Sequence, residues 1–284
     1  MKKSILNFHE MKKRGEKITY ITAYDFPMAS FVEKAGIDMI LVGDSAGMVV
    51  HGYSGTVPMT MDQMVAHAED VRRGAPNTFV IGDLPFLSYQ LSTENAIYNS
   101  GRFYKEASVD AVKLEGGRCL ISQIKGIVDS GMSVMGHIGL TPQSSGQLGG
   151  FKAQGLTVET AMELLQDAAA VEKAGAFALL VEAVPPEVGK IITETVKIPV
   201  LGIGAGMYTD GQVLINGDIL GMFEAFTPKF VKRYANVGEI IVKAFTEYAE
   251  DIRSGKFPEE KHCYRMLEGE HEKLQARLKK GPIQ

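Results

Sequence analysis

Five apolar runs in the sequence end abruptly in a side chain that can bind a metal ion or move a proton. These side chains are Asp44, Asp83, Glu115, His137 and Glu182. Apolar runs of this kind are typical of buried strands. If the strands are parallel, their ends lie on one rim, and we expect the five groups to converge there.

Asp44 and Asp83 follow neighbouring runs and are the pair best suited to a divalent metal ion. Mg²⁺ typically takes one or two carboxylates and fills its remaining positions with water and substrate oxygens. The alternative is that each aspartate caps a following helix, but neither predicted strand leads directly into one. Asp25 differs, because a predicted helix begins directly after it at Phe26, and we interpret Asp25 as its N-cap.

Lys113 and Glu115 lie in one apolar run. An ammonium group inside such a strand requires an anion, and beside a metal ion the carboxylate of a bound acid would provide it. The alternative is a structural pairing of Lys113 with Glu115 or another neighbour. Glu115 would either reach the metal ion through water or support Lys113.

Glu182 and His137 are the candidates for proton transfer and substrate contact. Apolar residues flank Glu182, so its pKa is expected to rise toward the range of a general base. The alternative is a solvated glutamate at a strand end. His137 would form a hydrogen bond either with a substrate oxygen or with a carbonyl group of its own loop.

A pair of metal-binding acids, a cation for a carboxylate and a carboxylate base together indicate enolisation of a 2-oxo acid. A divalent ion at the keto and carboxylate oxygens would stabilise the enolate that forms when the base removes a proton from carbon 3. These residues do not indicate what the enolate then attacks.

The elements that must position these groups alternate between strand and helix about eight times, which is the pattern of a single-domain (β/α)8 TIM barrel. A doubly wound open sheet is the alternative. A helix from Ser4 to Gly15 precedes the first strand and is expected to cover the bottom of the barrel. Strands are predicted at residues 18–24, 39–42, 79–81, 111–114, 134–136, 177–181, 198–203 and 218–222.

Four further segments complete the predicted organisation of the chain, which is treated as one domain over residues 1–284. Residues 46–58 are expected to form a long loop above the strand ends, and residues 210–214 a short helical turn. A helix is predicted at residues 237–255. Residues 1–17 would be an N-terminal cap, and residues 257–284 a charged, helical C-terminal tail.

Length and composition suit one sizeable domain and exclude several classes of protein. The chain has 284 residues, of which 45% are hydrophobic, and its formal net charge is −4. Lys and Arg are interspersed with acids, so no basic stripe for nucleic acid is expected. No run approaches the roughly 20 apolar residues of a membrane span.

Cys119 and Cys263 are too few and too far apart for a disulfide framework or a zinc site, and they predict a reducing compartment. The first residues contain no apolar segment of the kind found in a signal peptide. We therefore expect a cytoplasmic protein that binds small molecules and neither nucleic acid nor a membrane.

The sequence Gly-Ile-Gly-Ala-Gly at residues 202–206 is similar to part of a dinucleotide-binding motif. That motif requires a further glycine where Met207 stands, and it belongs at the first strand-to-helix turn. A tight turn of a barrel is the better interpretation. A phosphate site after the seventh strand is the alternative.

A series of short segments occurs in a characteristic order between about Ile18 and Phe257. The segments are Val-Gly-Asp-Ser at 42–45, Arg-Arg-Gly-Ala-Pro at 72–76, Asp-Leu-Pro-Phe at 83–86, Val-Lys-Leu-Glu-Gly-Gly at 112–117, Gly-His-Ile-Gly-Leu-Thr-Pro-Gln at 136–143, Gly-Ile-Gly-Ala-Gly at 202–206 and Asp-Gly-Gln at 210–212. In this order they closely resemble the ketopantoate hydroxymethyltransferase family. The ordered series is far more specific than any one segment.

The resemblance implies a (β/α)8 barrel that transfers a hydroxymethyl group from 5,10-methylenetetrahydrofolate to 3-methyl-2-oxobutanoate, giving 2-dehydropantoate for pantothenate biosynthesis. It implies one Mg²⁺ per subunit as cofactor. Members of this family are commonly large homo-oligomers, often decamers, and the resemblance implies the same for this chain.

Carried over by motif, the family's metal site corresponds to Asp44 and Asp83, with Glu115 associated, and its proton acceptor to Glu182. Ser45 joins Lys113 as a contact to the keto acid. Combined with the arguments from the residues themselves, the predicted substrate-binding set is Asp44, Ser45, Asp83, Lys113 and His137.

Two positions depart from the family's usual sequence. Ala183 stands where cysteine is common, and residues 215–218 replace a Met-His-Asp segment. These differences affect the expected pocket wall and strand eight but no predicted ligand.

One rival interpretation is a phosphoenolpyruvate mutase or isocitrate-lyase-like enzyme, although the cysteine loop motif of the lyases is not found. The other is a barrel that serves only in binding or assembly, although every predicted catalytic position is filled.

Overall fold

A computed structural model describes residues 2–281 of the chain. Eight parallel strands close into a barrel in which each strand pairs with the next and β8 pairs with β1. This confirms the predicted (β/α)8 barrel and excludes the open sheet. The strands are β1 Ile18–Thr22, β2 Met39–Val42, β3 Phe79–Asp83, β4 Ala111–Glu115, β5 Val134–Gly139, β6 Ala178–Glu182, β7 Val200–Ile203 and β8 Gly211–Leu214.

Helices separate most of the strands, and short 3-10 helices lie at Arg118–Leu120, Pro142–Ser144 and Glu260–His262. The α-helices of the described residues are α1 Ile5–Arg14, α2 Phe26–Lys34, α3 Ala46–Val49, α4 Met61–Gly74, α5 Thr93–Ala107, α6 Ile121–Asp129, α7 Val158–Lys173, α8 Pro186–Thr195, α9 Asn216–Ile219, α10 Val237–Arg253 and α11 Glu270–Leu278.

Each strand faces two hydrophobic cores, because successive side chains of a strand point to opposite faces of the sheet. The inner core fills the barrel and includes Ile81, Met135 and Leu180. The outer core lies between the sheet and the helices and includes Val80 and Leu179. Burial on both faces explains why the strands appear in the sequence as nearly continuous apolar runs.

Helix α1 closes one end of the barrel, as predicted. Phe8 and Met11 belong to the inner core, and the Phe8 ring meets the Phe79 ring edge-on with centroids 5.1 Å apart. Phe79 begins β3, whereas Asp83 ends it. The α1 plug therefore lies at the end of the barrel opposite the polar strand ends.

The eighth strand lies earlier in the chain than predicted. The helical turn expected at residues 210–214 is wrong, because these residues contain β8, and the strand expected at residues 218–222 is wrong, because α9 ends there. A Cβ on Gly211 would lie 2.2 Å from the backbone oxygen of Ile18. Strand β8 is thus placed by its close packing against β1. Its own sequence shows little apolar periodicity.

The segment after β2 contains a helix where a loop is predicted. Helix α3 follows Ser45, so the expectation that Asp44 leads into no helix is also wrong. The Asp44 carboxylate nevertheless accepts a hydrogen bond from Gln143, at 2.9 Å, and not from the start of α3. Asp25 caps α2 as predicted, since its Oδ1 accepts from the Met28 N–H at 2.8 Å.

Two compact units divide the described chain, one ending at Ala235 and the other beginning at Asn236. The second unit contains α10, a 3-10 helix and α11, and none of these helices buries a side chain. Helix α10 confirms the helix predicted at residues 237–255. The single-domain organisation stays a prediction, and Met1 and residues 282–284, the outer ends of the predicted cap and tail, lie outside the described residues.

Candidate active site

The polar strand ends continue the inward-facing rows of the inner core. Asp83 follows Ile81, His137 follows Met135 and Glu182 follows Leu180, each at the two-residue spacing that keeps side chains on one face. The strand register pairs Asp83 with Lys113 and Glu115 with His137. Strand geometry alone therefore gathers these groups into one layer at the carboxyl end of the barrel.

Lys113 occupies the centre of this layer, and carboxylates of the protein itself pair with its ammonium group. Its Nζ lies 2.8 Å from Asp83 Oδ1 and 3.6 Å from Glu115 Oε1, and all three side chains are almost fully buried. His137 Nδ1 is 3.3 Å from the same ammonium. The structural pairing considered from the sequence is thus present, with Asp83 as the nearest carboxylate.

Asp44 and Asp83 lie side by side, as predicted for the ends of adjacent strands. The backbone N–H of Asp44 donates to Asp83 Oδ2 at 3.1 Å. Burial raises the pKa of Asp44 and raises the pKa of Asp83 well above its ordinary value, and the negative charges nearby act in the same direction. Both carboxylates therefore lie at a site where the nearby positive charge of the protein does not balance the negative charge.

Gln143 connects the carboxylates and has no role assigned from the sequence. Its Nε2 donates to Asp44 Oδ2, and its backbone N–H donates to Glu115 Oε2, both at 2.9 Å. The Tyr89 hydroxyl donates to Gln143 Oε1 at 2.7 Å. The Thr-Pro-Gln segment after β5 is the signal for this residue, but the contacts appear only in the folded chain.

His137 and Glu182 form a second contact on the other side of Lys113. His137 Nε2 lies 3.2 Å from Glu182 Oε2. Burial lowers the pKa of His137 and raises the pKa of Glu182, while the contact with His137 lowers the Glu182 pKa in part. The arrangement favours a neutral imidazole beside a carboxylate whose proton affinity is higher than usual.

Ser45 faces the same cavity from the start of α3. Its Oγ lies 2.8 Å from the hydroxyl of the buried Tyr24. The tyrosine holds the serine hydroxyl in place, and it is a further residue that sequence reasoning missed. The substrate-binding roles predicted for Ser45 and His137 stay predictions.

The cavity above this layer has a volume of about 700 Å³. Its floor carries Asp44, Asp83, Glu115 and Glu182, and in the described chain Lys113 is its only buried cation. Its walls are mainly apolar. The cavity thus combines a buried, negatively charged floor with room for a ligand of considerable size.

The carboxylate oxygens on the floor suit a cation that needs few protein ligands. Among residues 2–281, no three His, Cys, Asp or Glu side chains form a ready metal cluster. Asp83 Oδ1 is buried and lies 2.8 Å from the Lys113 ammonium. Two adjacent aspartates on a floor with four carboxylates and one buried ammonium fit Mg²⁺, which takes one or two carboxylates and keeps several water or substrate ligands. The roles of Asp44, Asp83 and Glu115 as metal ligands stay predictions.

Every helix of the described residues falls short of the combined length and hydrophobicity that a membrane span requires. Cys119 and Cys263 are both free and exposed.

Comparison with known structures supports the fold. A phosphonopyruvate hydrolase in complex with oxalate and Mg++ aligns with a TM-score of 0.61 at 15% identity, over 98% of this chain and 97% of that one. A 2,3-dimethylmalate lyase of the PEP mutase/isocitrate lyase superfamily aligns with a TM-score of 0.58 at 16% identity, over 99% and 100% of the two chains. These identities show a shared barrel and nothing finer.

Comparison with known sequences is far more specific. The 3-methyl-2-oxobutanoate hydroxymethyltransferase of Alkaliphilus metalliredigens is 60% identical over 95% of this chain and 96% of its own. The enzymes of the same name from Moorella thermoacetica and Clostridium beijerinckii are 52% and 48% identical, over 90% and 96% of this chain and 95% and 100% of their own. The sequence model of ketopantoate hydroxymethyltransferase matches residues 2–260. The chain therefore belongs to the ketopantoate hydroxymethyltransferase family of transferases, which implies a place in pantothenate biosynthesis.

Proposed function

We propose that the protein transfers a hydroxymethyl group from 5,10-methylenetetrahydrofolate to 3-methyl-2-oxobutanoate, with Glu182 as the base. The observation that carries this proposal is the placement of Glu182, 3.2 Å from His137, on the floor of a cavity that also holds Asp44, Asp83 and Lys113. A largely buried carboxylate with a raised pKa that still reaches the cavity is suited to take a proton from a weak carbon acid.

The reaction requires two changes of bonding at carbon 3 of the keto acid. Glu182 takes the proton from carbon 3, and the resulting carbanion equivalent forms a carbon–carbon bond with the methylene carbon of the folate. Both bonds from that carbon to the folate nitrogens N5 and N10 break, and one water molecule supplies the hydroxyl group of the product. The proton taken from carbon 3 and the remaining proton of the water go to the two nitrogens. Tetrahydrofolate leaves, and the product is 2-dehydropantoate.

Asp44 and Asp83 would hold Mg²⁺, which supplies positive charge for the keto and carboxylate oxygens of the substrate when it is bound. Lys113 keeps Asp83 in position through its 2.8 Å ion pair and adds positive charge next to the substrate. Gln143 fixes Asp44 and Glu115 by hydrogen bonds to both. The neutral His137 orients Glu182 by donating its one N–H, at Nε2, across the 3.2 Å contact, while Nδ1 faces the Lys113 ammonium.

The direct test uses two assays on the unmodified protein with Mg²⁺. In D₂O with 3-methyl-2-oxobutanoate alone, the hydrogen on carbon 3 should exchange for deuterium, as followed by proton NMR. Addition of 5,10-methylenetetrahydrofolate should yield 2-dehydropantoate, detected by mass spectrometry. If neither exchange nor product appears with any of several divalent metals, the proposed function is wrong.

We also propose that the protein works as a homo-oligomer, a decamer by family resemblance, in the cytoplasm. Helix α10 carries apolar side chains, among them Ile240, Phe245 and Tyr248, that it does not bury within its own unit. The free Cys119 and Cys263 suit a reducing compartment. Analytical ultracentrifugation tests the subunit number, and a purely monomeric protein at micromolar concentration would contradict the oligomer.

A further inference from the structure

Asp218 is a buried carboxylate at the cavity that the proposed chemistry does not use. It lies on the first turn of α9, is 5% exposed and lines the cavity. Among the described residues, no group donates a hydrogen bond to its side chain, and Arg233 acts on it only through its charge. A carboxylate that lines a cavity, has lost most of its solvent and has no donor from the described residues can accept hydrogen bonds from a ligand bound there.

Aromatic side chains follow Asp218 closely in the chain and line the same cavity. After α9 the chain turns back, and the backbone N–H groups of Met222 and Phe223 donate to the Gly217 oxygen at 2.8 and 3.2 Å. Phe223 and Phe226 pack edge to face with ring centroids 5.7 Å apart, and both line the cavity. The carboxylate therefore stands beside an apolar wall suited to a flat ring.

The rest of the cavity leaves room for such a ring. The floor groups suffice for a small branched keto acid and a metal ion, whereas the volume of about 700 Å³ lies within the range of sites for drug-sized ligands. The folate substrate carries a reduced pterin with two apolar faces. One edge of that pterin presents the 2-amino group and N3–H as adjacent donors, and a carboxylate can accept from both at once.

We infer that Asp218 binds the folate substrate by accepting hydrogen bonds from the 2-amino group and N3–H of its pterin ring. This inference rests on the proposed function for the presence of a folate. Burial raises the pKa of Asp218 to about 6, so the group is mainly ionised at neutral pH and is held there at a cost that the two donors would offset.

The test compares two ligands on two proteins by anaerobic calorimetry. The ligands are tetrahydrofolate and an analogue in which hydrogen replaces the 2-amino group. The unmodified protein should bind tetrahydrofolate roughly ten- to a hundredfold more tightly than the analogue, the range for a hydrogen bond to a charged group. Asp218→Asn should bind both more weakly and lose most of this preference, because the pterin donors no longer meet a carboxylate.

Two controls separate this inference from the proposed function and from misfolding. Asp129→Asn removes an exposed carboxylate on α6 and should keep the full preference for tetrahydrofolate. Deuterium exchange of the keto acid needs no folate. Persistence of this exchange in Asp218→Asn would show that the variant is folded and that its keto-acid site still functions. Equal binding of the two ligands by the unmodified protein overturns the inference without any variant. If exchange and product formation are normal but the preference is absent, only the role of Asp218 is wrong.

Discussion

The Lys113 ammonium lies 2.8 Å from Asp83 Oδ1, and both side chains are at least 98% shielded from solvent. The two residues are direct partners across β3 and β4. The pair places one positive charge among the four carboxylates of the floor and leaves an excess of negative charge. That excess is what a divalent cation would neutralise.

The first prediction concerns Lys113→Met, which keeps most of the side-chain volume and removes the charge. It leaves Asp83 and Glu115 buried without their cation, so the unfolding free energy should fall by about 3–5 kcal/mol at pH 7. Urea unfolding provides the measurement. Lys125→Met removes an exposed ammonium on α6 and should cost less than about 1 kcal/mol.

The pH dependence of that loss has a definite sign. In Lys113→Met the folded-state pKa values of Asp83 and Glu115, already raised by burial, should rise further above their unfolded values. The folded state then binds more protons than the unfolded state, so the stability of the variant should increase as pH falls toward the unfolded pKa values. A loss that is independent of pH would show that the ion pair is not its source.

The second prediction concerns Asp44→Asn and Mg²⁺ binding. Asp44 is the cleaner target, because Asp83 also pairs with Lys113. Mg²⁺ at a hundred times its dissociation constant should stabilise the unmodified protein by about 2.7 kcal/mol, visible as a rise in Tm. Asp44→Asn should lose most of this rise at the same concentration. An undiminished rise would show that Asp44 is not a ligand, and Asp129→Asn is the matched surface control.

The third prediction concerns Glu182→Gln, which keeps the shape of the side chain and removes its basicity. Deuterium exchange into 3-methyl-2-oxobutanoate and hydroxymethyl transfer should fall together by roughly 10²- to 10⁴-fold, the usual contribution of a general base. Binding of the keto acid and Mg²⁺, measured by calorimetry, should persist. If the variant exchanged deuterium at the undiminished rate but failed in hydroxymethyl transfer, Glu182 would not be the base, and His137 would be the next candidate.

The fourth prediction concerns His137→Asn and the pH profile of deuterium exchange. Glu182 must be deprotonated to act, so the exchange rate should fall on the acid side as Glu182 takes up a proton. The contact with His137 lowers the pKa of Glu182, and its removal should raise that pKa. The acid limb of the profile should therefore move to higher pH. A limb that stays in place would mean that the 3.2 Å contact does not act on Glu182 during the reaction.

Much of the barrel and of its rim could be predicted from the sequence, because the signals are local. The apolar run at β2 and the polar residue that closes β3 mark buried strands and their ends without reference to distant residues. Asp44, Asp83, Glu115, His137 and Glu182 all lie on the floor of one cavity, as their positions after apolar runs predict. Closure of parallel strands then suffices to bring the groups together.

Other features were decided only by the tertiary structure. Strand β8 depends on its pairing with β1, and its own few residues carry too little pattern to reveal it. Gln143 reaches Asp44 across 99 positions of sequence. Whether Lys113 faces a substrate or Asp83 depends on the register of two strands. Partners of this kind are set by the packing of segments that are remote in the chain, and local propensity and periodicity hold no information about that packing.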